Sequence, residues 1–576
     1  MSPGIPRTPD PEVFGLIADW AAADPDQPAA TIAAVVEQVA RSRHLDVALE
    51  LNGVGVKPSA AVAGIDGGAT VAGRWGPWLP GFAREALESP DRRKRMGIHH
   101  TPPRVVAEIL DLAETAVGPF ADVASVLDPA AGGGAFLLAA AERMAGAPAD
   151  IVERLWAVDI DPLALATCRA SLALWAGHPP PADQFVLGDY LTPEVVAALP
   201  AAVDRVVGNP PFLAQLRDRT ARGDAARGSL RGRWPDVGRY VDDAAAFLIA
   251  ATEQLAPGGA VALVQPSSLL AAADAEPVRR RLSATAPPRA VWVDHERSFA
   301  AGVDTVAVVA APGPATEVVV AGERTPLPGP ASWGAVLARA QGVPGVPAAL
   351  DADTLGSIAT ITAGFRDQYY GLVDAVSNDP NGRLRLITAG LIDPLRDRWG
   401  RRPCRFAKQA YTHPAVALDR VDPSIRAWVG DRLRPKVLVA SQTRVIEAIA
   451  DPHGEMVPSV PVVSVEPSDA APSLWHVVAL LTCPVATTRL HHAAAGTALS
   501  AAAIRVSARR LAELPLPADP GAWAQAAAAA ERGDVDACGV AMLAAHRLAD
   551  RHDLLDFWRA NLPNPTAGGP KSDESA

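Results

Sequence analysis

The chain has 576 residues, enough for several domains each with its own core, and with 49% hydrophobic and 20% charged residues it has the composition of a folded globular protein. A net charge of -11 excludes a protein that coats nucleic acid indiscriminately, because neutralising phosphates requires a basic surface. Cys168, Cys404, Cys483 and Cys538 stand far apart with no C-x-x-C pair, so neither a disulfide framework nor a zinc site is expected, and a reducing cytosol fits.

The start of the chain carries prolines and acids where a signal peptide needs an apolar run. No later stretch stays apolar and uncharged for about 18 residues, so a soluble, cytoplasmic protein without membrane contact is expected. Charge is uneven: Arg217 to Arg239 holds seven Arg against three acids, and Arg396 to Arg444 holds twelve Lys or Arg against four. Local basic surfaces on an acidic body allow a confined nucleic-acid groove, and solvated faces would look the same.

Residues 1–95 read as a mostly helical extension. Helical spacing of apolar residues predicts helices over Pro11 to Ala23 and Ala29 to Arg43, and the Gly- and Ala-rich Gly53 to Gly76 reads as turns or short strands. A fused nuclease would need an acidic pair followed by Glu-x-Lys. The chain has five lysines and none completes that pattern, so this part reads as scaffold. Gly97-Ile-His-His-Thr-Pro-Pro-Arg then opens a helix, with Thr101 expected as N-cap and Pro102 at the first helical position. A helix start with a hydroxyl beside it can receive a carboxylate. His99 and His100 have no third ligand at workable spacing, and no metal is expected.

Four strands follow, each ending in a polar or glycine feature. The first is Ser125-Val-Leu-Asp, running into Pro129-Ala-Ala-Gly-Gly-Gly-Ala-Phe, where a glycine turn lets backbone approach a ligand and Asp128 can meet a positive group. A G-x-G-x-x-G dinucleotide fingerprint fails there because Leu137 stands at the third glycine position. Leu155-Trp-Ala-Val-Asp-Ile-Asp-Pro is the second strand; Asp159 is placed to accept from ribose hydroxyls, whereas Asp161 before Pro162 reads as the cap of a helix from Leu163 to Ala176. Gln184-Phe-Val-Leu-Gly-Asp-Tyr is the third, with Asp189 able to accept from an adenine amine and Tyr190 to stack beside it.

The fourth is Val206-Val-Gly-Asn-Pro-Pro-Phe. Two prolines must end the strand, leaving a stiff loop with two acceptors, the Asn209 side-chain carbonyl and the Pro210 backbone carbonyl, beside the ring of Phe212. Such a set suits an exocyclic amine on a planar ring: the acceptors grip its hydrogens and localise its lone pair, while the aromatic face holds the ring. Ligands of open α/β sheets bind along the carboxyl edge, where these four ends converge.

This order of signals resembles the gamma-class, TaqI-type adenine-N6 DNA methyltransferases that use S-adenosylmethionine. The resemblance is carried by Thr101, Asp128 to Phe136, Asp159, Asp189-Tyr190, and Asn209-Pro210-Pro211-Phe212. It implies an α/β, Rossmann-like class I methyltransferase domain. It also implies cofactor contacts from Thr101, Asp128, Ala130, Gly132, Gly134, Phe136, Asp159, Ile160, Asp189 and Tyr190, and an adenine-gripping role for residues 209–212. Ala131 and Gly133 stand where the family more often has Cys and Ser, and Phe212 where Tyr is common.

Leu213 to Tyr240 reads as a long Arg-rich loop able to close over substrate. Val241 to Leu255 is expected as a helix, with strands at Ala260 to Gln265, Ala290 to Asp294 and Thr305 to Ala310. Phe299 matches the family's late motif, on the far side of a flipped base. Together these give a methyltransferase domain at 96–311, a Pro/Gly-rich linker at 312–350, a mixed α+β target-recognition domain at 351–518, a helical segment at 519–562 and a disordered tail at 563–576. Tyr369, Tyr370, Tyr411, the regions His476 to Ala494 and Ile504 to Pro517, and the local Arg excess carry the second domain's resemblance. The expected partner is double-stranded DNA, with separate restriction or defence subunits. The same Asn-Pro-Pro-aromatic set also serves methylation of RNA guanine N2 or protein glutamine, and a DNA-binding subunit without catalysis is a third reading.

Overall fold

The computed structural model describes residues 11–73, 75–89, 101–212, 232–237, 242–296, 298, 304–347, 353–364, 366–381, 383–497 and 503–563. It divides into two compact units, residues 1–336 and 337–576. No described helix is long and apolar enough to cross a membrane.

The first unit is built on a nine-stranded sheet. Its strands are β1 (Val126–Asp128), β2 (Leu155–Asp159), β3 (Phe185–Leu187), β4 (Val203–Gly208), β5 (Leu255–Pro266), β6 (Pro288–Val293), β7 (Thr305–Ala310), β8 (Glu317–Val320) and β9 (Glu323–Pro326). They lie in the order β3-β2-β1-β4-β5-β7-β6-β8-β9. β3 through β5 run parallel, and β7 inserts antiparallel between β5 and β6. From β1 the chain moves outward to β2 and β3, then returns to place β4 on the other side of β1. That reversal opens a crevice at the carboxyl ends of β1 and β4, where ligands bind in doubly wound sheets.

Local chemistry explains the helices around it. Asp161 accepts from the Leu163 N–H and Pro162 occupies the first turn of α3 (Pro162–Ala176), which ends at Gly177 in the left-handed region. Asp242 caps α4 (Asp243–Glu253) in the same way. α1 (Pro103–Val117) and α2 (Ala135–Ala141) cover one face; α1 starts one residue later than expected, with Pro102 at the cap and Pro103 inside.

In the described part of the expected helical extension, the helices Pro11–Ala23, Pro28–Ser42 and Leu79–Leu87 share one apolar core with α2 and α3, through Trp20, Val35, Val39, Leu138 and Leu172. The expected linker also carries structure, since β8 and β9 extend the sheet, Trp333 is buried, and Arg279 donates to the Pro330 and Ala331 carbonyls. Short apolar runs such as Val318 to Val320 become strands only when a sheet edge is available to pair with them.

The second unit contains an antiparallel sheet of Ala359–Ala363, Val463–Pro467, Lys436–Val439 and Ala448–Asp451, and a second four-stranded sheet through Leu384–Ile387 and Met456–Pro458. The helical segment expected at 519–562 comprises the helices Pro520–Glu531, Val535–Ala545 and His552–Asn561. Trp523, Met542 and Trp558 are buried in one core with Val437 and Val465, and Trp523 Nε1 donates to the His476 carbonyl at 2.9 Å. The residues from 564 onward, the greater part of the expected tail, lie outside the described residues.

Candidate functional site

The glycine turn after β1 takes the form its residues require. Gly132 and Gly134 have φ of 53° and 92°, the left-handed region that side chains other than glycine resist. A Cβ on Gly134 would press on Cys168 at 3.1 Å, whereas one on Gly132 would meet nothing within 4 Å. The turn is therefore packed from below and open on one side. Its Gly132 N–H donates to Asp159 Oδ2 at 2.9 Å, and the Asp161 N–H donates to Asp159 Oδ1 at 2.9 Å, so both carboxylate oxygens at the end of β2 are held in place. Beside them Ile160 is 51% exposed, an apolar surface next to an acid.

Asp128 is buried at the end of β1, with Oδ1 accepting from the Ala130 N–H at 3.0 Å. A Cβ on Gly208 would lie 2.4 Å from that same oxygen, so β4 can pass this close only with glycine there. Gly208 is not among the expected site residues; a glycine inside an apolar strand directly before Asn209 is the signal that could have pointed to it. Burial pushes the Asp128 carboxyl up to about 8, with Asp159 adding to the rise and the Ala130 N–H opposing it. Asp159 is raised too, by burial first, against the Asp161 N–H, the Arg84 guanidinium and the Gly132 N–H.

That shift has a sign. Above the ordinary value of 3.8 an unfolded Asp128 gives up its proton while the folded one keeps it to about 8, so folding stability falls as pH rises across that window. Asp128→Asn retains an acceptor for Ala130 and removes the penalty. Its melting temperature without ligand is expected to exceed that of the unsubstituted chain, by more at pH 8 than at pH 5; equal differences at both would show that Asp128 is not the source.

Asn209 follows β4 directly, and its Nδ2 donates to Thr101 Oγ1 at 3.0 Å. Thr101 thus stands against the amide of Asn209 and not at the helix cap. Pro210 is buried, while Pro211 and Phe212 are half-buried, Phe212 packing against the core of the first unit. Arg104, the second residue of α1, donates to Ser298 at 3.0 Å and pairs with Glu108 and Glu296, bringing Glu296 and Ser298 to the same helix start. Phe299, His99, His100 and most of the expected loop after Phe212 lie outside the described residues.

Two expected contacts do not fit. Tyr190 is only 1% exposed, with its hydroxyl donating to Gln254 Oε1 at 2.9 Å and its ring against Phe247, so it has no face to offer a base. Phe136 is buried beneath the first turn of α2 as a core residue. Asp189 remains half-buried at the end of β3, where its carboxylate accepts from the Leu191 N–H at 3.0 Å.

The remaining groups form a set suited to S-adenosylmethionine: an open glycine turn for close backbone approach, a half-buried carboxylate for ribose hydroxyls, and an exposed aliphatic side chain for an adenine face. Asn209 lies at the end of the adjoining strand. A positive group bound beside Asp128 would offset the burial that keeps its carboxyl neutral and favour the carboxylate.

Residues 87–285 match the family model described as N-6 DNA methylase. No curated protein matches the chain. Among solved structures, the chain is similar to the Type IIL restriction-modification enzyme MmeI in complex with DNA, with a TM-score of 0.54 at 12% identity over 96% of this chain and 93% of that one. It is also similar to the type IIG restriction endonuclease BpuSI, with a TM-score of 0.43 at 14% identity over 95% and 80% of the two chains. A third similarity is to the methyltransferase subunit of a type I restriction-modification system from Streptococcus thermophilus, with a TM-score of 0.32 at 20% identity over 45% and 53%. The first of these shows a shared fold along nearly the whole chain.

Proposed function

We propose that this chain is a DNA methyltransferase that uses S-adenosylmethionine to methylate the N6 amine of adenine, in restriction-modification, phage defence or epigenetic marking. The observation that carries the reading is the placement of Asn209-Pro210-Pro211-Phe212 directly after β4, beside the glycine turn of β1 and Asp159 of β2, within the segment matched by the N-6 DNA methylase family model.

S-adenosylmethionine supplies an electrophilic methyl group when bound. The chain's own residues do the rest by positioning. Asp159, Ile160 and the Gly132–Gly134 turn would hold the cofactor. Asn209 Oδ1 and the Pro210 carbonyl accept the two amine hydrogens, which localises the nitrogen lone pair. Phe212 stacks on the base, which must leave the duplex to reach the site; Phe299, outside the described residues, is the candidate for the other face by its match to the family's late motif. No strong base is needed, because the amine, once it has taken the methyl group and S-adenosylhomocysteine has left, is acidic and releases its proton to water. Asn209 donates to Thr101 through Nδ2, and this bond fixes which end of the amide accepts from substrate.

The second unit is proposed to recognise the target sequence. Its ribbon of Gln442–Thr443 and Ile504–Arg505 sets exposed Arg505 opposite exposed Gln442, with exposed Arg444 two residues further on. Arg and Gln are side chains that read guanine and adenine edges, and Arg also meets phosphate.

Incubation with labelled S-adenosylmethionine tests the reading. Label is expected in duplex DNA, as N6-methyladenine, and not in RNA or in translation factors. Label in RNA guanine or protein glutamine would establish the alternative substrate. A chain that binds DNA and transfers nothing would be a non-catalytic subunit.

A further inference from the structure

We infer that the helix Leu79–Leu87, in the amino-terminal extension, belongs to the cofactor site, and that Arg84 is a positioning residue for Asp159; this rests on Asp159 being the ribose-binding acid. Arg84 Nη2 donates to Asp161 Oδ2 at 2.7 Å, with side chains only 5% and 9% exposed. Glu88 Oε2 lies 3.6 Å from the same nitrogen. Asp161 in turn donates its own N–H to Asp159 Oδ1. One buried guanidinium therefore anchors the residue that holds one oxygen of the ribose-binding carboxylate.

The helix also meets the glycine turn that holds the other oxygen. A Cβ on Gly133 would lie 2.7 Å from Gly81 Cα, and one on Gly81 would lie 3.2 Å from the Gly133 carbonyl oxygen. Backbone meets backbone here, in a contact that a side chain on either residue would push apart.

Packing alone does not call for Arg84. Trp75, Trp78 and Phe82 already supply an aromatic cluster at this helix. A buried ion pair is weak evidence of stabilisation, since desolvation offsets much of its attraction. What the guanidinium does supply is a positive charge next to two acids two residues apart. Without it, Asp161 and burial both drive Asp159 toward its neutral form. A protonated Asp159 could not accept from two backbone N–H groups and ribose hydroxyls together.

The test uses the full chain, S-adenosylhomocysteine as probe in calorimetric titration, and steady-state methylation of duplex DNA. Arg84→Met is expected to weaken probe binding about tenfold, to raise KM for the methyl donor by a similar factor with kcat within about twofold, and to move the acid limb of probe binding to higher pH. Arg84→Lys keeps the charge and is expected to restore most of the pH profile. Should Arg84→Met not fold, Arg84→Met with Asp161→Asn and Glu88→Gln removes the whole buried ionic group and keeps a cap acceptor, and weakened probe binding is again expected from the lost anchor. Wild-type affinity and pH profile in the folded variants would overturn the inference alone. Failure of the wild-type chain to bind the probe would overturn the cofactor assignment, and the inference with it.

Discussion

Asn209→Ala lowers kcat for methyl transfer by roughly a hundred- to a thousandfold, the scale of loss when one preorganised polar group is removed from a reacting centre. S-adenosylhomocysteine affinity is expected to stay within about twofold, because in the proposed function Asn209 holds the base, whereas the cofactor is assigned to Asp159 and the Gly132–Gly134 turn. The substitution removes both functions of the amide: the acceptor offered to the base and the donor that meets Thr101 Oγ1 at 3.0 Å. Asn209→Asp keeps an acceptor and gives up the amide donor, so its activity is expected between the two. Mapping N6-methyladenine in cells carrying either form gives the target sequence in the same experiment. Unchanged methylation in the alanine variant would end the proposed mechanism.

Lys436→Met is expected to destabilise the second unit by about 3–5 kcal/mol, the usual result of removing one partner of a buried pair. Lys436 and Asp451 face each other across paired strands with side chains 0% and 1% exposed. Burial pulls the Lys436 ammonium below its ordinary value and the Asp451 hydrogen bond and charge oppose that pull. Asp451 also accepts from the Glu455 and Met456 N–H groups at 3.0 and 2.9 Å, so a stranded carboxylate would loosen the turn between two strands. For a unit of this size the loss corresponds to a melting transition lowered by roughly 10 °C. Adding Asp451→Asn removes the stranded charge and is expected to recover part of it. A single variant that melts with the unsubstituted chain would show that the pair is neutral to stability.

Signals confined to a few neighbouring residues are legible in the amino-acid sequence. The Pro11–Ala23 helix, the cap at Asp161, the strand ends at Asp128, Asp159 and Gly208, and the strand Thr305–Ala310 follow from propensity, capping and turn chemistry within a handful of positions. Signals that depend on which way a side chain leaves the backbone are not. Asp189 and Tyr190 are neighbours in the turn that follows β3, yet the Asp189 carboxylate accepts from the Leu191 N–H while Tyr190 enters the core against Phe247, a division that the packing around the turn sets.

What the amino-acid sequence determined by itself was the chemistry at each strand end, because each carries its own local stop: glycines, acid-proline pairs, or two prolines in a row. What only the tertiary structure decided was which distant groups meet those ends: Arg84 at Asp161, Gly81 at Gly133, Thr101 at Asn209, and two further strands on the sheet. Local conformation is set by bonds within a few residues. A contact between residues 77 or 108 positions apart exists only after the sheet has brought both segments to one place, and no spacing in the chain encodes it.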